Sequence, residues 1–259
     1  MKYIRKAIAL VLVAVFIAAV AIGLSVIFAV RNINVFCSDY QISSGEGSRS
    51  AEFASSVEKI EVSLSEFEGK AIAGVKEKEI SSIVNASGYA EYVSWEVIYP
   101  CTINVTVRER LEMFAVPSAD GRTFTILDKD CSAMTVKSSN INNLDGSPNV
   151  LVSVPEEDYP LVSSLAALFG EKFLSVRAFA ESISVQHGTV EEDSLLIKLR
   201  CGLTMEIRDY KNNAEEKAKA LCSAFENMAD YLKLGGTMYC VSTDSGALRV
   251  VLPDGSVVA

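Results

Sequence analysis

The side chains able to do chemistry are few and widely spaced. The chain has a single histidine, His187, placed beside Gly188 at an expected turn. A general base needs reach to a proton and a partner that orients it, and no second histidine is present to help build a metal site. A Ser-His-Asp set would rest on that one residue. Asp128 and Asp130 form a carboxylate pair, but they follow an expected strand, where two aspartates suit a turn. Glu191-Glu192-Asp193 could attract a cation, yet the run lacks the alternating ligand spacing of a calcium loop and reads as a solvated loop. There is no Walker lysine, no Gly-x-Ser-x-Gly and no His-Glu-x-x-His. No catalytic, cofactor-binding or metal-ligating residue is assigned, and no small-molecule substrate.

Six cysteines, Cys37, Cys101, Cys131, Cys201, Cys222 and Cys240, show no Cys-x-x-Cys pair. Most sit in apolar periodic runs, where a free thiol packs like a small hydrophobe. Buried thiols are expected, with one bridge allowed. Asn85-Ala86-Ser87 and Asn104-Val105-Thr106 match the glycosylation triplet, the second inside a strand.

The N-terminus sets the expected placement. Lys2, Arg5 and Lys6 precede Ala7 to Val30, which carries no charge. At 1.5 Å per residue this run reaches roughly 36 Å, enough for a hydrocarbon core. Basic residues ahead of it put residues 1–6 in the cytoplasm, residues 7–30 in the lipid bilayer, and the remainder outside as a single-pass cell-membrane protein. Cleavage at Ala19-Val20-Ala21 is the rival reading, but the apolar run outlasts the roughly 7–15 residues of a signal core. All 33 acidic residues lie beyond Arg31 with 20 of the 24 basic ones, a formal charge of −13. An acidic part of that kind is a poor partner for a phosphate backbone, so nucleic acid is set aside.

The elements follow from periodicity. Ile33 to Val35 begin a strand, and Gly45 and Gly47 break the pattern. Phe53, Val57, Ile60, Leu64 and Phe67 mark one face of a helix starting at Ser50, with Gly69 as its stop. Ile80, Ile83 and Val84 mark a second helix, ending near Ser87-Gly88. Val93, Trp95 and Val97 alternate with polar residues, as do Ile103, Val105 and Val107, predicting an antiparallel pair with one wet face. Tyr99-Pro100 falls between them, and Pro100 belongs at the turn or the first strand position.

A second region opens with a strand over Thr123 to Leu127. Asn142 to Pro155 read as loop, Pro160 opens a helix bearing Leu161, Leu165, Leu168 and Phe169, and Phe173 to Gln186 contain strand material. Leu195 to Ile207 form a hairpin about Cys201-Gly202. Asn213 with Glu216 resembles a helix-start box. Ala218, Leu221, Cys222, Phe225, Met228, Ala229 and Leu232 give the buried stripe of that helix, and Gly235-Gly236 stop it. Two strands near Thr237 to Val241 and Ala247 to Leu252 flank a turn at Asp244-Ser245-Gly246. The fold class is α+β, the second domain mixed with a largely antiparallel sheet.

Taken in order, these features resemble the FtsQ/DivIB family of bacterial cell-division proteins. Tyr99-Pro100, Thr102-Ile103 and Val107-Arg108-Glu109-Arg110 are similar to that family's aromatic-proline, strand and Glu-Arg pair. Phe124 to Asp130 resembles the strand and Asp-rich turn opening its β-domain, and Cys201-Gly202 and Gly236 fall where its glycines punctuate the later strands. Glu112 stands where the family usually has proline, Cys131 where it has a turn glycine, and the first helix is long. The resemblance implies a POTRA-type βααββ domain at 33–111, a β-domain at 121–253 and a short tail at 254–259. It also implies a non-catalytic scaffold at the division septum, binding single-span FtsL and FtsB/DivIC types and helping regulate septal peptidoglycan synthesis. The residues offered for partner binding are Ala247, Leu248, Arg249, Val250, Val251 and Leu252, a terminal edge strand whose main chain could pair with a partner's. Two alternatives stay open: another POTRA-bearing protein that handles exported polypeptides, and a signal-anchored extracytoplasmic hydrolase.

Overall fold

The computed structural model describes residues 2–38, 50–138, 141–142, 147–188, 193–243 and 246–258, with backbone alone at 2–10, 21–22 and 24–25. Gly45, Gly47, Glu191, Glu192, Asp244 and Ser245, given roles above, lie outside the described residues, as does Ala259. The chain divides into two units, Met1–Arg110 and Leu111–Ala259.

In the first unit, α1 (Lys2–Ile27) contains most of the apolar run. Among the described residues no helix is long and apolar enough to cross a membrane. This overturns the expected bilayer span at residues 7–30 and the single-pass cell-membrane placement built on it.

Beyond α1 come β1 (Asn32–Cys37), α2 (Ala51–Leu64), α3 (Glu77–Asn85), β2 (Ala90–Ile98) and β3 (Thr102–Glu109), with short 3-10 turns at Ser65–Phe67 and Ile72–Gly74. β3 is central, parallel to β1 and antiparallel to β2. Ile103, Val105 and Val107 on β3 are fully buried beneath Phe53, Ile60 and Leu64 of α2 and Ile80 and Val84 of α3. Fully burying side chains of this kind is worth roughly 1.5–3 kcal/mol each before chain entropy is charged. Ser50 caps α2 by accepting a hydrogen bond from the Phe53 amide at 3.1 Å. Residues 99–101 turn the chain from β2 into β3, with a cis bond at Tyr99-Pro100.

One expectation on β2 fails locally. The pairing slips between Tyr92 and Ser94, so Val93 is an extra residue and 44% exposed. A bulge resets the two-residue alternation. The inward residues are Ala90, Tyr92, Trp95 and Val97, rather than an unbroken Val93, Trp95, Val97 series.

The second unit contains β4 (Phe114–Pro117), β5 (Phe124–Leu127), β6 (Ala133–Lys137), β7 (Val150–Ser153), α4 (Tyr159–Phe173), α5 (Val176–Phe179), β8 (Ala180–Gln186), β9 (Ser194–Leu199), β10 (Thr204–Arg208), α6 (Ala214–Asn227), β11 (Thr237–Ser242), β12 (Leu248–Val251) and β13 (Val257–Val258). They form one ten-stranded sheet in the order β13-β12-β11-β10-β9-β8-β7-β4-β5-β6. The α+β class stands, and the described sheet is mixed and largely antiparallel, with β4–β7, β7–β8 and β10–β11 as its parallel pairs. The last two parallel pairs follow from crossover helices, because a chain returning through α4–α5 or α6 re-enters the sheet in its original direction. α4 and α6 touch and bury Val162, Leu165, Phe169, Ala218, Leu221 and Cys222 in a common core with the strands.

The expected loop over Asn142 to Pro155 hides β7. Val150 and Val152 are fully buried, with parallel neighbours on both flanks. A short strand in that position needs no polar alternation, and prolines at 148 and 155 bracket it. The expected start box at Asn213 is absent: Asn213 adopts left-handed φ 55 and its side chain makes no cap bond.

Candidate partner-binding edge

Ala247–Leu252 was expected to be the sheet's terminal edge. The described strand is shorter, Leu248–Val251, and lies one place inside the sheet. On one flank β11 pairs with it antiparallel from Ser242↔Leu248 to Tyr239↔Val251. On the other, β13 pairs only through Val250↔Val258 and Val251↔Val257. The edge is therefore stepped, with β13 covering half of β12.

Hydrogen-bond alternation identifies the open groups. The Leu252 amide donates to the Ser256 carbonyl at 2.8 Å, and the Thr243 amide donates to the Ala247 carbonyl at 2.8 Å. In an antiparallel ladder successive residues direct their main-chain groups to opposite flanks. Leu248, Val250 and Leu252 therefore face the β13 side, and Val250 and Leu252 are met there. Leu248 lies beyond the last β12–β13 pair, and Val257 faces outward from β13. Among the described residues neither position meets a strand partner on that side, and valines 257 and 258 beside them are 55% and 42% exposed.

The step is held by local chemistry. Asp254 accepts from the Ser256 hydroxyl at 2.6 Å and amide at 2.9 Å. Those bonds hold its carboxyl below the usual carboxylate value. The Gly255 amide closes the turn on the Leu252 carbonyl at 2.9 Å, with φ +82. Gly236, at φ +88, leaves room for Pro253, whose Cβ would lie 3.0 Å from an added Cβ. Inward, Val250 is 4% exposed, with Leu248 and Leu252 packed on the same core; Arg249 points out. On the neighbouring strands the Arg208 guanidinium lies 3.8 Å over the Tyr239 ring, stiffening the support for the edge.

The scattered candidates for chemistry do not converge. His187 Nδ1 lies 3.1 Å from Asp193 Oδ2 on an exposed imidazole. Asp128 Oδ1 accepts from the amides of Asp130 at 3.0 Å and Ser132 at 2.8 Å, organising a turn through Cys131 at φ 57. All six thiols are unpaired: Cys131, Cys222 and Cys240 are buried, Cys37 and Cys101 half-buried, and Cys201 exposed. Burial, aided by Asp128 and Asp130, pushes the Cys131 thiol up to about 12, and burial with Glu226 does the same for Cys222. Burial also raises Cys240. Such thiols are poor nucleophiles at neutral pH. Among the described residues no group of three His, Cys, Asp or Glu side chains could hold a metal ion. The two triplet asparagines are engaged: Asn85 accepts from the Tyr92 amide at 3.2 Å, and Asn104 from Asn34 at 2.9 Å.

The residues carrying the family resemblance are structural ties. Arg108 Nε donates to Glu91 at 2.6 Å, and Arg110 donates to the Gly88 carbonyl at 3.0 Å. Glu112, fully buried, takes Lys137 Nζ at 2.7 Å and Asn149 at 3.3 Å. Periodicity had no signal for this part-buried pair, since both residues are charged and 25 positions apart.

No protein-family model matches this chain, and no curated protein matches it.

Proposed function

We propose that the chain is a non-catalytic interaction scaffold of the kind its resemblance to the FtsQ/DivIB family implies. In this reading it joins FtsL-type and FtsB/DivIC-type single-span division proteins and so helps regulate septal peptidoglycan synthesis. Its means is strand addition: an extended partner segment pairs with the open main chain at the β12–β13 step.

The observation that supports the reading is that step. A two-residue last strand leaves Leu248 and Val257 with outward main-chain groups beside exposed valines. Main-chain hydrogen bonds would supply affinity, and Arg249 with the two valines would supply selection. The site thus extends from the expected 247–252 to Val257 and Val258.

Proline is the direct probe, because it removes one donor. Val250 is unsuitable, being buried in the core. Leu248→Pro and Val257→Pro instead delete outward N–H groups. Co-purification with the FtsL-type and FtsB/DivIC-type proteins of the same cell should fall sharply for both variants, while an Arg122→Ala control binds normally. Full binding by both folded proline variants would remove the mechanism.

A further inference from the structure

The first unit carries a surface groove of about 640 Å³ that plays no part in the reading above. It runs between the 3-10 turn at Ser65–Phe67 and α3, lined by Phe67, Lys70, Lys76, Lys78, Ser82 and Ile83, with Glu79 at its margin. The floor is apolar: Phe67 is 6% exposed, and Ile83 packs against the same core. The rim is cationic. Lys70 lies with its ammonium 4.5 Å from the centre of the Phe67 ring.

Charge makes this groove unusual in this molecule. The chain carries a formal −9, yet three lysines line one concavity against a single glutamate. Elsewhere the lysines are mostly paired: Lys137 with Glu112, Lys198 with Glu181, Lys211 with Asp158 and Lys233 with Asp230. Lys70, Lys76 and Lys78 have no carboxylate within ion-pair distance among the described residues. Glu77, next in sequence, is turned to the Tyr92 hydroxyl at 2.8 Å. Three unneutralised cations over an apolar floor are complementary to a segment bearing carboxylates on each side of one apolar side chain.

We propose that the Phe67–Lys70–Lys76–Lys78–Ile83 groove docks an acidic peptide segment of a partner protein, with an apolar side chain on Phe67 and Ile83 and flanking carboxylates on the three lysines. The site lies in the first unit and does not depend on the edge-strand reading of the second, so either can fail alone.

The test uses the full chain and a fluorescein-labelled synthetic peptide of glutamates flanking a central leucine. Fluorescence anisotropy should show saturable binding that weakens with added salt. Replacing the leucine by serine, or reversing the charges by Lys70→Glu, Lys76→Glu and Lys78→Glu together, should each weaken it by about tenfold. Carbodiimide coupling of the peptide to the unaltered protein adds a readout independent of the variants' folding: mass spectrometry should place the cross-links on Lys70, Lys76 and Lys78. Cross-links spread over the other lysines, or an affinity indifferent to charge reversal in folded protein, would overturn the proposal. So would binding of phosphatidylglycerol vesicles with no binding of the peptide.

Discussion

Glu109 accepts hydrogen bonds from both the amide and the hydroxyl of Ser50, the amide at 3.3 Å, while that hydroxyl also caps the Phe53 amide. The last residue of β3 thereby anchors the first turn of α2, across 59 positions of sequence. Glu109→Ala should lower the stability of the protein by about 1–2 kcal/mol, as loss of a cap network does. Chemical denaturation followed by the fluorescence of Trp95, the only tryptophan, measures it; an unchanged midpoint would show the tie to be idle.

Lys217 is fully buried, and its ammonium donates at 2.8 Å to the carbonyls of Arg208 and Asp209. These carbonyls end β10, so the lysine joins α6 to the strand before it. Lys217→Met keeps the aliphatic stem and orphans both acceptors, with an expected loss of about 2–4 kcal/mol. Lys219→Met, on the exposed side of the same helix, should change stability by less than about 0.5 kcal/mol. Equal effects in thermal melts would contradict the assignment.

Leu174 is 93% exposed and held at φ 70, ψ −52, with the Ser175 amide donating to the Phe173 carbonyl at 2.9 Å. This is the strained three-residue turn that side chains avoid. Leu174→Gly removes the clash and should raise stability by about 1 kcal/mol. A lower melting temperature would mean that the leucine side chain supports the turn.

The thiols define an alkaline window. Cys131 and Cys222 are raised from the ordinary thiol value near 9 to about 12, chiefly by burial. Folding thus favours the protonated thiol, and the stabilisation it carries is intact below pH 9 and lost as pH climbs towards 12. Tyr92, raised from 10.0 to about 12 by burial and by Glu77, acts in the same direction. Melting temperature should fall across pH 9–12, and less steeply in Cys131→Ala and Cys222→Ala. In the native protein at pH 8, Cys201 should be alkylated first. Equal reactivity of Cys131 and Cys201 would contradict the burial argument.

How far the sequence could be read depended on where each constraint lay. The helix through Phe53, Ile60 and Leu64 shows on its face because its signal is local apolar spacing, and the hairpin about Gly202 shows because a turn residue at φ +98 separates two alternating runs. β7 escaped because its strand character comes from parallel neighbours distant in sequence. Val93 misled because a bulge depends on the facing strand, and Lys217 because a charged residue signals solvent unless its acceptors are known. Of the candidate site, the strand at Leu248–Val251 was legible. The step was not, since Val257-Val258 is too short to show a period and is defined only by its pairing with Val250 and Val251. The uncharged N-terminal run was the least informative feature: apolar composition alone suggested a bilayer span that the described helix does not supply.

Amide hydrogen exchange at Leu248 and Val257 tests the scaffold reading most directly. In the isolated protein both amides, which meet no strand partner among the described residues, should exchange rapidly, while that of Val250, bonded within the step, exchanges slowly. On complex formation with an FtsB/DivIC-type partner, the amides of Leu248 and Val257 should become protected. A complex that forms with both amides still exchanging at their free rates would contradict strand addition at this edge.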